Sequence, residues 1–382
     1  MKLTLNTETL TEALRPVGRR VPTRPDSPAA AGLRLTATGD TLRLLAAGDL
    51  ATSARTAVPA LVHEDGTAVL PGRMLHGLAR TLPAGAPLDL TVEGRLAHLQ
   101  FGGTRISIPL LEADEYPQQP DLPKSVGTVA GKDIAAAVHQ IAVAAGCDDT
   151  LPMLTGIRFE LVGNTLKLTA TDRYRLAVQA IPIQRAARRA PSALCVIPAK
   201  DLRATVADFR RAESVTVGLP TAEEQQFSLS AGALTVTHRP LDAKHYPDIS
   251  KVVPTSFGTQ VVLDRAALMG VLTRAVTVAG AYVPVNLAVE PGGPVIVTGG
   301  SRYEARTREE LTPRSCKGAP VRIAFNPGFL LAGLRVLKSR TVQLDLTTEH
   351  RPGVLHTPGV DRSALSYLLM PVRTVSDAPM PN

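Results

Sequence analysis

Tryptophan is absent from this chain, and only 3% of its 382 residues are aromatic. Its cores must therefore be built from Leu, Val, Ile and Ala. Cysteine is nearly absent too. Cys147, Cys195 and Cys316 are odd in number, far apart and form no CxxC pair, which indicates neither a disulfide framework nor a zinc cluster. No apolar run approaches the ~20 residues of a membrane span. Met1-Lys2-Leu3-Thr4-Leu5-Asn6 lacks the basic region and continuous apolar core of a secretory signal, so a cytoplasmic protein is expected. The eight histidines form no HxxxH or HExxH pair, which removes the simplest metal sites. No GxSxG elbow occurs; Gly299-Gly300-Ser301-Arg302-Tyr303 comes nearest and fails at its last position. No catalytic residue, metal ligand or cofactor is expected.

What is present is an ordinary globular composition, 44% hydrophobic, on a chain longer than one core usually supports, so two or three domains are expected. The net charge of +8 favours a polyanionic partner, nucleic acid first.

The chain repeats itself three times. A helical stripe runs through Leu10, Leu14 and Val17, then Ile134, Val138 and Ile141, then Leu268, Leu272 and Val276. A second helix starts at Leu70-Pro71-Gly72-Arg73, at Ile197-Pro198-Ala199-Lys200 and at Phe325-Asn326-Pro327-Gly328, with Pro or Asn as the start signal. Between the helices lie alternating strands joined by tight turns, Gly39-Asp40 answering Gly163-Asn164 and Gly292-Gly293. Glu115-Tyr116-Pro117 and His245-Tyr246-Pro247 close the first two copies. The expected fold is α+β: three domains over 1–121, 127–250 and 256–374, each with two helices on antiparallel strands, followed by a tail over 375–382. Six amphipathic helices would line one wall of a curved, pseudo-symmetric assembly.

Other motifs are weak. Gly127 to Asp133 resembles a phosphate loop but is one residue short and carries Asp where a metal-binding hydroxyl is needed; it reads as a helix start. Glu112, Asp114 and Glu115, and Asp148 with Asp149, are acidic clusters that could bind Mg²⁺ in a nuclease, though both read as solvated loops. Arg185, Arg188 and Arg189 read as a solvated connection. Basic residues recur on equivalent helices: Arg73, Arg80, Lys200, Arg203, Arg210, Arg335 and Lys338 on the second helices, with Arg15, Arg19 and Arg274 on the first. Such cations would meet phosphates without reading bases.

The densest polar segment is Thr171-Asp172-Arg173-Tyr174-Arg175, closed by Leu176 and Ala177. Two guanidiniums, a carboxylate and a phenol at one strand end must hold something or hold one another. Together with Tyr367-Leu368-Leu369-Met370-Pro371-Val372-Arg373 and the threefold repeat, this segment resembles the bacterial sliding clamp family, the beta subunit of DNA polymerase III. The resemblance implies a non-enzymatic DNA-clamp fold closed by two head-to-tail protomers, a homodimer ring that encircles duplex DNA. It implies partners such as the polymerase alpha subunit, the clamp loader and other proteins with clamp-binding motifs, docked in a hydrophobic cleft that inhibitors could also occupy. Carried over by position, the cleft would comprise Leu154, Thr171, Arg173, Tyr174, Arg175, Leu176, Pro247, Lys251, Val252, Tyr282, Asn326 and Phe329. Leu368, Leu369, Met370, Pro371 and Arg373 would complete it. DNA would meet Arg24, Arg73, Arg80, Lys200, Arg203 and Lys338. Lys251 stands where the family often has Arg, and a basic charge departs from commonly acidic clamps, so a second copy with altered partner or inhibitor binding is an alternative to the housekeeping clamp. A metal-dependent nuclease and a protein scaffold without DNA are the rivals from other classes.

Overall fold

A computed structural model describes residues 1–47, 51–119, 121–186, 194–221, 225–300 and 305–373. Among the described residues six α-helices occur at the repeat positions: α1 Thr7–Gly18, α2 Gly72–Ala79, α3 Gly131–Ile141, α4 Ala199–Phe209, α5 Arg265–Ala279 and α6 Pro327–Val336. Their starts follow local chemistry. Asn6 accepts from the Glu8 N–H, Asp264 from Ala267 and Asn326 from Phe329, each satisfying an otherwise unpaired first-turn donor. Leu10, Leu14, Val17, Ile134, Val138, Ile141, Leu268 and Leu272 are all fully buried, each contributing about 1.5–3 kcal/mol. On α5 the stripe passes through Val271 and Ala275, leaving Val276 half-buried.

The chain forms two compact units. The first comprises Met1–Ala135, Ile183–Ile197 and Ala204–Leu241; the second comprises Ala136–Pro182, Pro198–Arg203 and the chain from Asp242. The middle repeat thus contributes to both.

In the first unit, a five-stranded sheet has the order Leu61–Glu64, Lys2–Asn6, Pro87–Glu93, Leu96–Phe101, Thr104–Pro109. A nine-stranded sheet begins with Gln184–Arg185, Ser125–Val129, Val215–Gly218, Phe227–Ala231 and Leu234–His238, then continues through Thr52–Pro59, Thr41–Ala46, Gly32–Thr38 and Gly66–Pro71. First and second repeats meet inside this sheet, where Thr235, Val236, Thr237 and His238 pair with Arg55, Ala54, Ser53 and Thr52. Strand alternation sends Leu33, Leu35, Ala37, Leu42 and Leu44 into the core, so the residues between them face outward.

In the second unit, successive neighbours within one sheet are Gly156–Val162, Thr165–Thr171, Arg175–Pro182, Ser366–Leu369, Gly353–His356, Thr341–Leu346, Thr259–Asp264 and Ser315–Gly318. A four-stranded sheet has the order Arg306–Leu311, Val295–Gly300, Val285–Val289, Val321–Phe325. Second and third repeats meet where Arg175, Leu176, Ala177 and Val178 pair with Leu369, Leu368, Tyr367 and Ser366. The predicted hairpins form: Gly39 and Gly163 open two-residue turns at φ +58° and +55°, the left-handed position that a type II′ turn gives to Gly.

Candidate functional site

One carboxylate builds the turn between Thr165–Thr171 and Arg175–Pro182. Asp172 Oδ1 accepts from the backbone N–H of Tyr174 and of Arg175, both at 3.0 Å, and its Oδ2 accepts from Arg175 Nε at 2.9 Å. Thr171 Oγ1 donates to the Arg175 carbonyl at 2.7 Å and accepts from the Arg173 N–H at 3.2 Å. Arg173 sits at the apex with φ +79°, the one described non-glycine residue in the left-handed region. The polar knot therefore satisfies much of its own hydrogen bonding, as a sharp turn must.

From this turn Arg175 reaches the Phe329 ring of α6, its guanidinium carbon 4.4 Å from the centroid. The Tyr174 ring stacks on the same Phe329 at 6.3 Å. Strand Ser366–Leu369 is held to α6 from behind. Tyr367 donates its hydroxyl to the Phe329 carbonyl at 3.1 Å, and its ring packs so closely on Gly333 that a Cβ there would fall 2.4 Å from the ring. Burial pushes the Tyr367 hydroxyl up to about 12, with the Arg175 cation pulling the other way.

Leu176 and Leu368, paired in register, face outward onto Ile249 and Val354. Asp248 caps the single turn Ile249–Lys251, accepting from the Ser250 N–H at 3.1 Å, and so sets Ile249 over the sheet. The result is a cavity of about 210 Å³ whose walls include Thr171, Arg173, Arg175, Leu176, Pro247, Val252, Leu368 and Met370. A second cavity of about 560 Å³ shares Ile249 and Leu368 with it and continues past Val178, Phe257 and Arg362. Met370 leaves 40% of its surface exposed at the site, and a flexible thioether of this kind adapts to varied apolar ligands.

Other residues expected in the cleft are placed differently. Leu154 and Leu369 are buried without lining this cavity. Tyr282 is 91% exposed. The Asn326 side-chain oxygen caps α6, accepting from the Phe329 N–H at 3.1 Å. Pro371 and Arg373 lie beyond the last strand, half-buried and exposed. The Lys251 side chain lies outside what the structure describes, as do Arg188, Arg189, residues 301–304, residue 374 and the tail over 375–382. Ile249 is the wall residue that sequence reasoning missed; the Asp248 cap before it was the available signal.

Arg24, Arg73, Arg80, Lys200, Arg203 and Lys338 are all exposed, and among the described residues none has a carboxylate oxygen within 4.0 Å. Arg15, Arg19 and Arg80 line a cavity of about 460 Å³ between α1 and α2 with His76. Burial lowers the His76 pKa, with Arg80 and Arg19 adding to the effect. Arg274 is different from the expected free cation: its Nε lies 2.9 Å from Glu309 Oε1. Asp148 is engaged locally, Oδ1 accepting from the Thr150 N–H and hydroxyl at 3.0 and 2.6 Å, which lowers its pKa. Among the described residues no three His, Cys, Asp or Glu side chains are grouped for a metal, and no helix is long and apolar enough to cross a membrane.

Comparison with known proteins covers nearly the whole chain. Models of the DNA polymerase III beta subunit match in three parts: the N-terminal domain over 1–120, the central domain over 128–248 and the C-terminal domain over 250–373. The beta sliding clamp of Streptomyces coelicolor is 36% identical over 379 residues, covering 98% of this chain and 99% of that protein. The beta sliding clamp homolog GriR of Streptomyces muensis is 33% identical over 377 residues, with coverage of 98% and 99%. Among solved structures, the Bacillus subtilis DNA polymerase sliding clamp superposes with TM-score 0.89 at 24% identity, covering 98% of this chain and 99% of that one. The Pseudomonas aeruginosa sliding clamp bound to griselimycin gives 0.87 at 24% identity, covering 98% and 100%.

Proposed function

This chain belongs to the family of the DNA polymerase III beta subunit, the non-catalytic sliding clamps that serve as processivity factors, and on that premise we propose that it closes with a second copy into a ring around duplex DNA. Its three domains would span about 1–121, 127–250 and 256–374, and it would work in the cytoplasm on the nucleoid.

The observation that carries the ring is a pair of unfinished sheets. Thr104–Pro109 ends the five-stranded sheet and Arg306–Leu311 ends the four-stranded one, each a row of backbone donors and acceptors open to another strand. Joined between two copies they give 5 + 4 = 9 strands, the size of the continuous sheet inside the first unit. A head-to-tail contact repeated about a two-fold axis closes the ring with both of these edges paired.

The unpaired cations Arg24, Arg73, Arg80, Lys200, Arg203 and Lys338 would face the phosphates, in contacts weak enough to permit sliding once topology supplies residence. The cavity floored by Leu176, Leu368, Ile249 and Met370 would receive the apolar side chains of partner peptides, with Arg173 and Arg175 at its rim. Griselimycin, carried by the Pseudomonas aeruginosa clamp, is a ligand to titrate against the same cavity, and its affinity would separate the housekeeping reading from a second copy with altered inhibitor binding.

Two experiments test this reading. After loading, the chain should remain on circular DNA and leave when the DNA is linearised; equal retention on both would refute the ring. Met370→Ala with Leu176→Ala should weaken a polymerase-tail peptide by at least about tenfold while the dimer persists. Unchanged affinity in that double variant removes the cleft assignment.

A further inference from the structure

Three arginines converge on the outward face of the nine-stranded sheet in the first unit. Arg34 and Arg55 flank Leu45 in one cross-strand row, and Arg43 faces Thr36 in the next. Together they line a cavity of about 470 Å³, remote in sequence from the residues of the peptide cleft. Arg34 lies over Tyr116, its guanidinium carbon 5.4 Å from the ring centre. Among the described residues none of the three has a carboxylate oxygen within 4.0 Å, although Asp121 lines the same cavity. Burial lowers the Arg55 pKa.

The second repeat shows what is missing. Arg158, Glu160 and Lys167 occupy the positions of Arg34, Thr36 and Arg43, each at an offset of 124 (158 − 34, 160 − 36, 167 − 43). Arg158 also lies over a tyrosine, 5.6 Å from the Tyr246 ring centre. There, however, Glu160 supplies a carboxylate, 3.3 Å from the Arg158 Nη2. The first repeat keeps the cation on its aromatic shelf, replaces the carboxylate by Thr36 and adds Arg55.

We propose that this cavity binds an acidic peptide segment of a partner protein, whose Asp or Glu carboxylate takes the place that Glu160 fills in the second repeat. Planar guanidiniums match a carboxylate in forked geometry, and Leu45 and Leu122 offer apolar surface for the neighbouring side chains. Nucleic acid fits less well. Among the described residues no aromatic side chain lines the cavity for a base to stack on, and a concave site of this size suits a few side chains better than a run of phosphates.

The test is fluorescence anisotropy on the full chain with a fluorescein-labelled nonapeptide of alternating Glu and Leu, against a single-stranded oligonucleotide of equal charge. Arg34→Ala with Arg55→Ala should weaken the peptide by about tenfold or more. Thr36→Glu installs the carboxylate of the second repeat on an outward-facing, half-buried position and should weaken it similarly, with an unchanged unfolding midpoint. Met370→Ala with Leu176→Ala should leave the peptide's affinity intact. The proposal fails if the wild type does not bind the peptide, if Thr36→Glu has no effect, if the cleft variant abolishes binding, or if the oligonucleotide competes on equal terms.

Discussion

Asp172 holds Arg175 twice, through its backbone N–H at 3.0 Å and its Nε at 2.9 Å. The same side chain thus shapes the turn and aims the guanidinium that lies over Phe329. Asp172→Ala removes both functions and should cost about 3 kcal/mol in urea unfolding. Asp172→Asn keeps the Oδ1 acceptor while losing the ion pair, and should cost about half as much. Equal losses would mean that the charge, rather than the turn, carries the whole effect.

The apex residue makes a separable prediction. A left-handed non-glycine backbone costs about 1–2 kcal/mol, and Gly relieves it at an entropic cost of about 0.5–1 kcal/mol. Arg173→Gly should therefore unfold within about 1 kcal/mol of the wild type, yet bind cleft peptides more weakly. Arg173→Val should be clearly less stable than either, as differential scanning calorimetry would show.

His238 gives the first unit a pH dependence. Its Nδ1 and Nε2 lie 3.1 and 3.0 Å from the hydroxyls of Thr52 and Thr205, and burial, with Arg20 adding to it, pushes its pKa down to about 3. The fold binds neutral His238 and the unfolded chain takes up a proton near its ordinary value, about 6.5. Stability from this group is therefore complete above about pH 6.5 and is lost as pH falls toward the folded pKa, with a limiting slope of about 1.4 kcal/mol per pH unit. His238→Gln should flatten that slope in unfolding titrations between about pH 6 and pH 4; an unchanged slope would assign the acid sensitivity to other groups.

The exposed cations of α2 and α4 predict a salt dependence. Replacing Arg73 and Lys200 by Ala should lower the slope of log K against log salt for duplex binding by about 2, uniformly across DNA sequences. A sequence-dependent loss would contradict phosphate contact.

The helices were legible because each repeats the same stripe and start signal: Leu10, Ile134 and Leu268 are fully buried at equivalent places. The second-repeat turn was legible as chemistry, although its internal closure by Asp172 was not, since a cluster of charges reads the same whether it grips a ligand or itself. Asn326 is expected in the cleft by resemblance, while its own Asn-Pro sequence predicts the cap it makes. The Arg274–Glu309 pair escaped because its partners lie 35 residues apart on a helix and a strand. Nothing in local pattern announces that Thr52–Pro59 will pair with Leu234–His238, or Arg175–Pro182 with Ser366–Leu369; alternation fixes which face a strand buries but leaves its neighbour unspecified.

Those two pairings alter what the connecting segments near 121–127 and 250–256 are for. Each repeat boundary in sequence is bridged by ladder hydrogen bonds in the sheet, so the covalent connection is mechanically redundant there. Cutting the backbone at either connector would leave the flanking repeats zipped together as a non-covalent pair, and the molecule's weakest seams would lie where a sheet ends at Thr104–Pro109 or Arg306–Leu311.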